Sequence, residues 1–330
     1  MAVAVVDRGS PRGADWTIAE YLGEWLSHVH GRVRRVTYEG YECLLRCHAL
    51  PSLAAVGLAE LTPLRLQLLY SDLLAGSDSR RPLSGGTVLN LHLVLNQALS
   101  QAVRWQLLAA NPAAGVQAPR PKRSQRLAVD PELAQRLLEA TVGTTYELPC
   151  ALALATGMRR GEILALRWSD VSPNLGSLQV VRTLQPSQVG LVYEEPKTAR
   201  SRRRVMLPEF VRPYLERQRA AQAGRRESVA EWREEGLVID RGDGRPLNPD
   251  TLSTGWARRL RLKGLPGVRF HDLRHAHATL LLLQGVHPKI VSERLGHASI
   301  GITLDTYSHV LPSLQSQAAD AFDALFGSPT

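Results

Sequence analysis

The sequence predicts a mainly α fold with one small three-stranded β-sheet, divided between two domains. Apolar residues recur at helical spacing over most of the chain. Strand-like runs are confined to residues 177–207. The stretch PRPKRSQR at 119–126, two prolines and four basic residues in eight, separates two differently patterned halves and reads as an inter-domain linker. A chain of 330 residues with 44% hydrophobic side chains has material for two packed cores.

Residues 1–14 are expected to be disordered. Residues 15–30, DWTIAEYLGEWLSHVH, alternate polar and apolar positions at helical spacing, with Thr17 as N-cap. Further helices are expected at 36–49, 62–75 and 86–110, the last stopped by Asn111-Pro112. With no alternating strand pattern, residues 15–118 form an all-helical domain. The second domain, 127–330, opens on DPELAQRLLEA, where Asp130 caps the helix, Pro131 takes its first position and Glu132 favours the positive end. Helices follow at 147–156 and 159–168. The runs SLQVVRTL, GLVYEE and RRRVML supply the three strands, separated by Gln-Pro-Ser and the turn PKTARS. Helices resume at 209–234, 251–263, 272–284, 288–295, 299–307 and 313–326.

Charge narrows the function. Lysine and arginine total 40 against 31 acids, a formal +9. Such a surface suits a polyanion, because neutralised phosphates release counterions and supply sequence-independent affinity. Aromatic residues are only 5%, so stacking on unpaired bases is disfavoured and duplex DNA fits better. No apolar run approaches the ~18 residues that span a membrane. The start, MAVAVVDRG, lacks the basic region of a secretory signal, and three cysteines suit a reducing compartment. A cytoplasmic, nucleoid-associated protein is expected. Cys43 and Cys47 lie within an amphipathic helix and read as buried thiols.

Six of the ten histidines fall between 271 and 309. His271 and His275 are four apart, as metal ligands on a helix would be. A catalytic zinc site wants a third ligand and a carboxylate base, and here Arg274 stands beside the pair instead. No metal and no cofactor are expected.

Phosphodiester exchange makes different demands. Charge grows on the non-bridging oxygens, so forked cations are wanted; an oxygen nucleophile must hold the phosphate, and the leaving alkoxide needs a proton. Five stretches offer such groups. ATGMRRGEILALRW supplies Arg159 at a break between helices, and PKTARSRRR supplies Lys197 in a strand turn. HDLRH supplies His271 and Arg274, LGH supplies His297 after a helix-ending glycine, and TLDTYSH supplies Tyr307. Each alone is ordinary.

As an ordered set, T-G-x-R-x-x-E, a hairpin lysine, H-x-L-R, L-G-H and a tyrosine ten residues after that histidine resemble the tyrosine recombinases, or phage integrase family. Residues 127–326 resemble the catalytic domain and 15–115 the helical core-binding domain. LGHASIGITLDTYSHV and GLVIDRGDGRPLNPDTL resemble integrases of phages and conjugative elements. The resemblance implies a two-domain DNA clamp that cuts and rejoins duplex DNA at a specific site through a 3′-phosphotyrosyl intermediate, without metal or ATP. It makes Tyr307 the nucleophile, Arg159 and Arg274 the phosphate clamp, and Lys197 the acid for the leaving 5′ oxygen. His271 assists proton transfer at the tyrosine, His297 hydrogen-bonds a phosphate oxygen, and Glu162 buttresses the site by orienting Arg159. Arg160, Arg200 and Arg202, with Lys122 and Arg123 of the linker, are candidate DNA contacts.

The tail 312–326 is a helix with Leu314, Ala318, Phe322 and Phe326 at near-helical spacing. Packing on its own domain is the default, whereas the resemblance implies exchange into a neighbouring protomer of a homotetramer on DNA. An accessory directionality factor is a further expected partner. Only about fourteen residues precede the first helix, which puts binding of separate arm-type sites in doubt. The rival readings are a DNA-binding regulatory protein without turnover and a type IB topoisomerase.

Overall fold

The computed structural model describes residues 16–77, 80–119, 127–195, 202–307 and 313–327, without the side chains of 307 and 313–318. The expected disorder of 1–14 and most of the basic linker, with Lys122 and Arg123, lie outside the described residues. The chain forms two compact units, Met1–Gln125 and Arg126–Thr330.

The first unit is helical throughout its regular structure. Thr17 caps α1 (Ile18–Val29) in a capping box: its hydroxyl accepts from the Glu20 N–H at 3.3 Å and the Glu20 carboxylate accepts the Thr17 N–H at 2.9 Å. A second helical stretch runs through α2 (Arg35–Leu44), a π-type segment Leu45–Ala49, and α3 (Leu50–Leu53). Pro51 lacks the N–H that would bond the Cys47 carbonyl, and the turn before it widens. α4 (Pro63–Ala75) and α5 (Gly85–Arg104) complete the bundle. Its core joins Ile18, Tyr21, Trp25, Leu66, Leu91 and Leu95, and the Tyr21 hydroxyl donates to the Ala98 carbonyl at 2.5 Å.

Two expectations fail here. Cys43 and Cys47 are exposed, not buried, because the bundle-facing side of that stretch is filled by Tyr41 and Leu45, leaving the cysteines on the solvent side. Helix α5 stops at Arg104 rather than running to 110. Gln106 takes a left-handed φ of 59°, while the Leu107 N–H reaches back to the Ala102 carbonyl at 2.9 Å and the Gln106 N–H to Val103 at 3.0 Å.

In the second unit, α6 (Pro131–Thr141) starts at the Asp130 cap, and α7 (Glu147–Thr156) is buried over nearly its whole length. A helix apolar on every face belongs at the centre, and α7 packs against α6, α8 (Arg160–Leu164), α9 (Arg212–Ser228) and α11 (Asp272–Leu283). α10 (Pro249–Leu262) lies against α6 and α8, with Trp256 donating to the Val268 carbonyl at 2.7 Å. α12 (Pro288–Leu295), α13 (Ile300–Tyr307) and α14 (Ser313–Phe326) follow.

The β-structure departs from one three-stranded sheet. Among the described residues, four strands make two antiparallel pairs: β1 (Ser177–Val180) with β4 (Arg203–Met206), and β2 (Thr183–Ser187) with β3 (Gly190–Glu194). The run SLQVVRTL breaks at Val181-Arg182, where Arg182 turns to bond Asp170, and its two halves take different partners. α8 also ends at Leu164, short of the expected 168. There the chain leaves the helix to bond the 236–238 segment, with the Trp168 N–H on the Gly236 carbonyl and the Val238 N–H on Leu166, each at 2.8 Å. The helix expected over 209–234 is also shorter. Glu209–Val211 forms a 3₁₀ turn, and Val229 turns extended.

No helix among the described residues is long and apolar enough to cross a membrane.

Candidate active site

The site grows from the end of α7. Gly157 closes that helix with a left-handed φ of 65°, so the chain reverses and Arg159 falls in an extended conformation at the start of α8. Glu162, one turn later, then faces back. Its carboxylate accepts the Arg159 backbone N–H at 2.9 Å with one oxygen and the Arg159 guanidinium at 2.9 Å with the other. Arg159 stays 43% exposed, whereas Glu162 is 4% exposed. The guanidinium is thus anchored at one edge and open to solvent at the rest.

Arg274 of α11 is buried. Its two terminal nitrogens donate to the Gly157 carbonyl at 2.6 Å and the Leu295 carbonyl at 2.8 Å. These carbonyls lie at the negative ends of α7 and α12, where a cation is favoured. One side chain therefore ties together the two turns that carry Arg159 and His297. Gly296 ends α12 with a left-handed φ of 68°, and His297 follows it directly. The His297 ring pairs through Nδ1 with the Thr303 hydroxyl of α13 at 2.8 Å. Burial, then the cations Arg274, Arg159 and Arg203, pushes His297 down to about 4, so its imidazole is neutral near pH 7.

His271 precedes α11, exposed, with its ring edge-on to His275 at 5.3 Å; His275 in turn is among the groups acting on His297. Tyr307 is the last residue of α13, one turn after Thr303, and its side chain lies outside the described residues. Lys197 and Arg200 also lie outside them. Of the remaining candidate contacts, Arg160 is held to α10, donating to Ser253 at 2.5 Å and pairing with Asp250 at 3.2 Å. Arg202 is exposed and paired with Glu195 at 2.7 Å. Among the described residues, no group of three or more His, Cys, Asp or Glu side chains is placed to hold a metal ion.

Three residues beneath the site escaped the sequence reading. Arg203 of β4 meets Glu162 with both terminal nitrogens, at 2.9 and 3.3 Å, and its Nε donates to the Arg294 carbonyl at 2.5 Å. Arg294 donates to the Ala155 carbonyl at 3.0 Å, and His277 donates its Nδ1 proton to the Leu154 carbonyl at 2.7 Å. The end of α7 thus receives three cationic or ring donors from α11 and α12. Burial, with Arg294, Arg274 and Arg203 nearby, pushes His277 down to about 4. One signal for Arg203 was available. It stands two residues from Val205, so strand alternation puts both on the inner face.

The sequence profile described as the phage integrase family matches residues 129–313, more than half of the chain. The chain belongs to the phage integrase family. A second profile, the phage integrase N-terminal SAM-like domain, matches residues 17–74. Among relatives, a protein named tyrosine recombinase XerC-like from Caldanaerobacter subterraneus subsp. tengcongensis is 28% identical, over 94% of this chain and 84% of its own. The ICEBs1 integrase of Bacillus subtilis is 29% identical, over 74% of this chain and 67% of its own. The fold is shared with solved integrases. The Tn1549 transposon integrase, in complex with transposon right end DNA, superposes with a TM-score of 0.78 at 19% identity, covering 93% of this chain and 99% of that one. A lambda integrase from a tetramer bound to a Holliday junction gives 0.65 at 18% identity, over 87% and 79%. The recognition made from five short motifs, a tyrosine recombinase of the phage integrase family, therefore stands, as does the mainly helical architecture.

Proposed function

We propose that this integrase cuts and rejoins duplex DNA at a specific site through a covalent bond between Tyr307 and a 3′ phosphate. The observation that carries the reading is the convergence of Arg159, Arg274 and His297 on the ends of α7 and α12, in a chain whose α13 ends at Tyr307. The Tyr307 oxygen attacks phosphorus, the new P–O bond forms, and the bond to the 5′ oxygen breaks. The phenolic proton passes to His271, and the departing 5′ oxygen takes one from Lys197. Rejoining reverses the step with a 5′ hydroxyl as nucleophile, so the bond energy is conserved and no ATP is consumed.

Arg159 and Arg274 neutralise the charge that develops on the non-bridging oxygens, which is the task otherwise given to a metal ion. We assign His297 the tautomer in which Nδ1 accepts from the Thr303 hydroxyl, so that the neutral ring carries its proton on Nε2 and donates it to a phosphate oxygen. A free tyrosine titrates near 10, and two guanidinium groups beside the phosphate favour its phenolate. The helical unit, residues 15–118, and the catalytic unit, residues 127–330, both contact the duplex, and the basic linker 119–126 contributes Lys122 and Arg123 to backbone binding. Arg160, Arg200 and Arg202 line the backbone near the cut.

The solved integrases named above, bound to a transposon end and to a Holliday junction, support DNA as the partner and a tetramer as the working assembly. Exchange of α14 between protomers is the expected cement. Phe322, Leu325 and Phe326 are all more than 60% exposed in the single chain, which supports docking elsewhere over packing at home. The protein acts in the cytoplasm, on the nucleoid, with a directionality factor selecting excision or integration.

The test is covalent trapping on a nicked duplex carrying the element's own attachment site, in EDTA, with wild type beside Tyr307→Phe. A denaturant-stable adduct confined to wild type is expected. Binding without any adduct would replace this reading with a regulatory DNA-binding protein.

A further inference from the structure

We propose that Arg203 is a positioning residue of the active site, setting Arg159 through Glu162 and His297 through the end of α12. The inference rests on the recombinase reading for what Arg159 and His297 do, and on geometry for how Arg203 reaches them.

Arg203 and Glu162 are the most deeply buried ion pair among those described, with side chains 6% and 4% exposed. The fork of the guanidinium spans both carboxylate oxygens, and Nε caps the Arg294 carbonyl. Both acceptors matter to the site. Glu162 is the group that anchors the Arg159 guanidinium and its backbone N–H. Arg294 lies three residues before His297, and the turn between them is closed by Gly296. A Cβ placed on Gly296 would come within 2.9 Å of Arg203, so the turn rests directly on the guanidinium. One planar cation thus fixes the two turns that present Arg159 and His297, from a strand that presents neither. Lysine, a single point charge, cannot serve both acceptors in this way.

Energetics separates holding the fold from aiming the site. Arg159 bonds Glu162, the Arg294 carbonyl accepts from Arg203, and the Arg203 charge acts on both Arg294 and His297, so the Glu162 carboxylate sits among cations. Burial pushes Glu162 up, and Arg203 and then Arg159 more than reverse this, so it stays ionised. Replacing both members of a buried pair with apolar side chains is often neutral for stability, whereas removing one strands a charge. A misplacement of about 1 Å at a reacting centre costs on the order of a hundredfold in rate.

The experiment compares wild type with Arg203→Met, Arg203→Lys and Arg203→Met/Glu162→Met in the full chain. Four quantities are read: duplex affinity, melting temperature, the rate of adduct formation at saturating nicked duplex, and the rate at which phenylglyoxal modifies Arg159 without DNA, followed by peptide mass spectrometry. The double variant is expected to melt close to wild type and bind duplex with similar affinity, yet form adduct about a hundredfold more slowly. Arg203→Met is expected to show an additional loss of rate as pH falls toward 6, as the stranded Glu162 takes up a proton. Arg203→Lys lies between it and wild type. Phenylglyoxal reactivity at Arg159 rises in both methionine variants. Recovery of the adduct rate together with the melting temperature in the double variant would overturn the proposal, leaving the pair a purely structural one. If wild type itself forms no adduct, the recombinase reading falls. Arg159 reactivity then decides alone: a rise in Arg203→Met supports the positioning role and an unchanged rate refutes it.

Discussion

The turn at Gly157 sets how closely α7, α11 and α12 approach, and Gly157→Ala tests that closeness. A Cβ at this position would stand 2.6 Å from Leu295 Cδ2 and 2.7 Å from His277 Cδ2, well inside van der Waals contact. Two penalties add. The left-handed φ of 65° costs a residue with a Cβ about 1 to 2 kcal/mol, less the ~0.4 to 1 kcal/mol gained by stiffening the unfolded chain. Forcing a methyl group into an occupied site costs a further ~1 to 3 kcal/mol. The sum spans about 1 to 5 kcal/mol, with its middle near 3 kcal/mol.

A built-in control isolates the second part. Gly143 has a nearly identical φ of 69°, but nothing lies within 4 Å of a Cβ there, so Gly143→Ala carries the conformational penalty alone. Both variants would be unfolded calorimetrically as full-length protein. For a unit of this size each kcal/mol lowers the melting temperature by roughly 2 to 4 °C, so at the middle of that range Gly157→Ala should melt about 6 to 12 °C below wild type. Gly143→Ala should fall much less. Adduct formation should slow in Gly157→Ala as well, because its carbonyl holds the Arg274 guanidinium. Equal stability of the two variants, within about 0.5 kcal/mol, would refute the packing of Leu295 and His277 on this turn.

Acidification should weaken the fold through His277. Its native pKa, about 4, lies below the ordinary 6.5, so the unfolded chain takes up the proton first. The stability it contributes is complete above 6.5 and is lost as pH falls toward 4, by about 3 kcal/mol at most. Urea unfolding at pH 7 and pH 5 would show this loss, and His277→Gln should remove its share while leaving the part owed to His297. Truncation after residue 311 should leave duplex binding by single chains intact while abolishing higher assembly in native gels. The logarithm of duplex affinity should fall linearly with that of salt concentration, and Arg202→Ala should lessen the slope by about 0.9, the release expected for one phosphate contact.

Much of the fold was legible because it is local. The Thr17 and Asp130 caps, and the left-handed glycines at 157 and 296, act within one or two turns of chain, and each lies where its helix begins or ends. The errors arose where distant segments compete for the backbone. Leu166 and Trp168 bond to 236–238 in place of extending α8, and the run from 177 divides between two partner strands. Cys43 and Cys47 were misjudged because helical spacing identifies a face without saying which face is turned inward.

For the site, the chain alone pointed to the family, and the groups proposed to react, Arg159, His271, Arg274, His297 and Tyr307, all lie in short motifs whose local turns and glycine stops are legible in the sequence. What only the tertiary structure decided is how those groups are held. Arg274 reaches a carbonyl 117 positions away, and Arg203 bonds a carboxylate 41 positions before it and a carbonyl 91 positions after it. Buried cations take whatever acceptors the packing delivers, because leaving them unpaired costs more than any local preference supplies. Which carbonyls are delivered depends on how the helices close, and no window of sequence contains that.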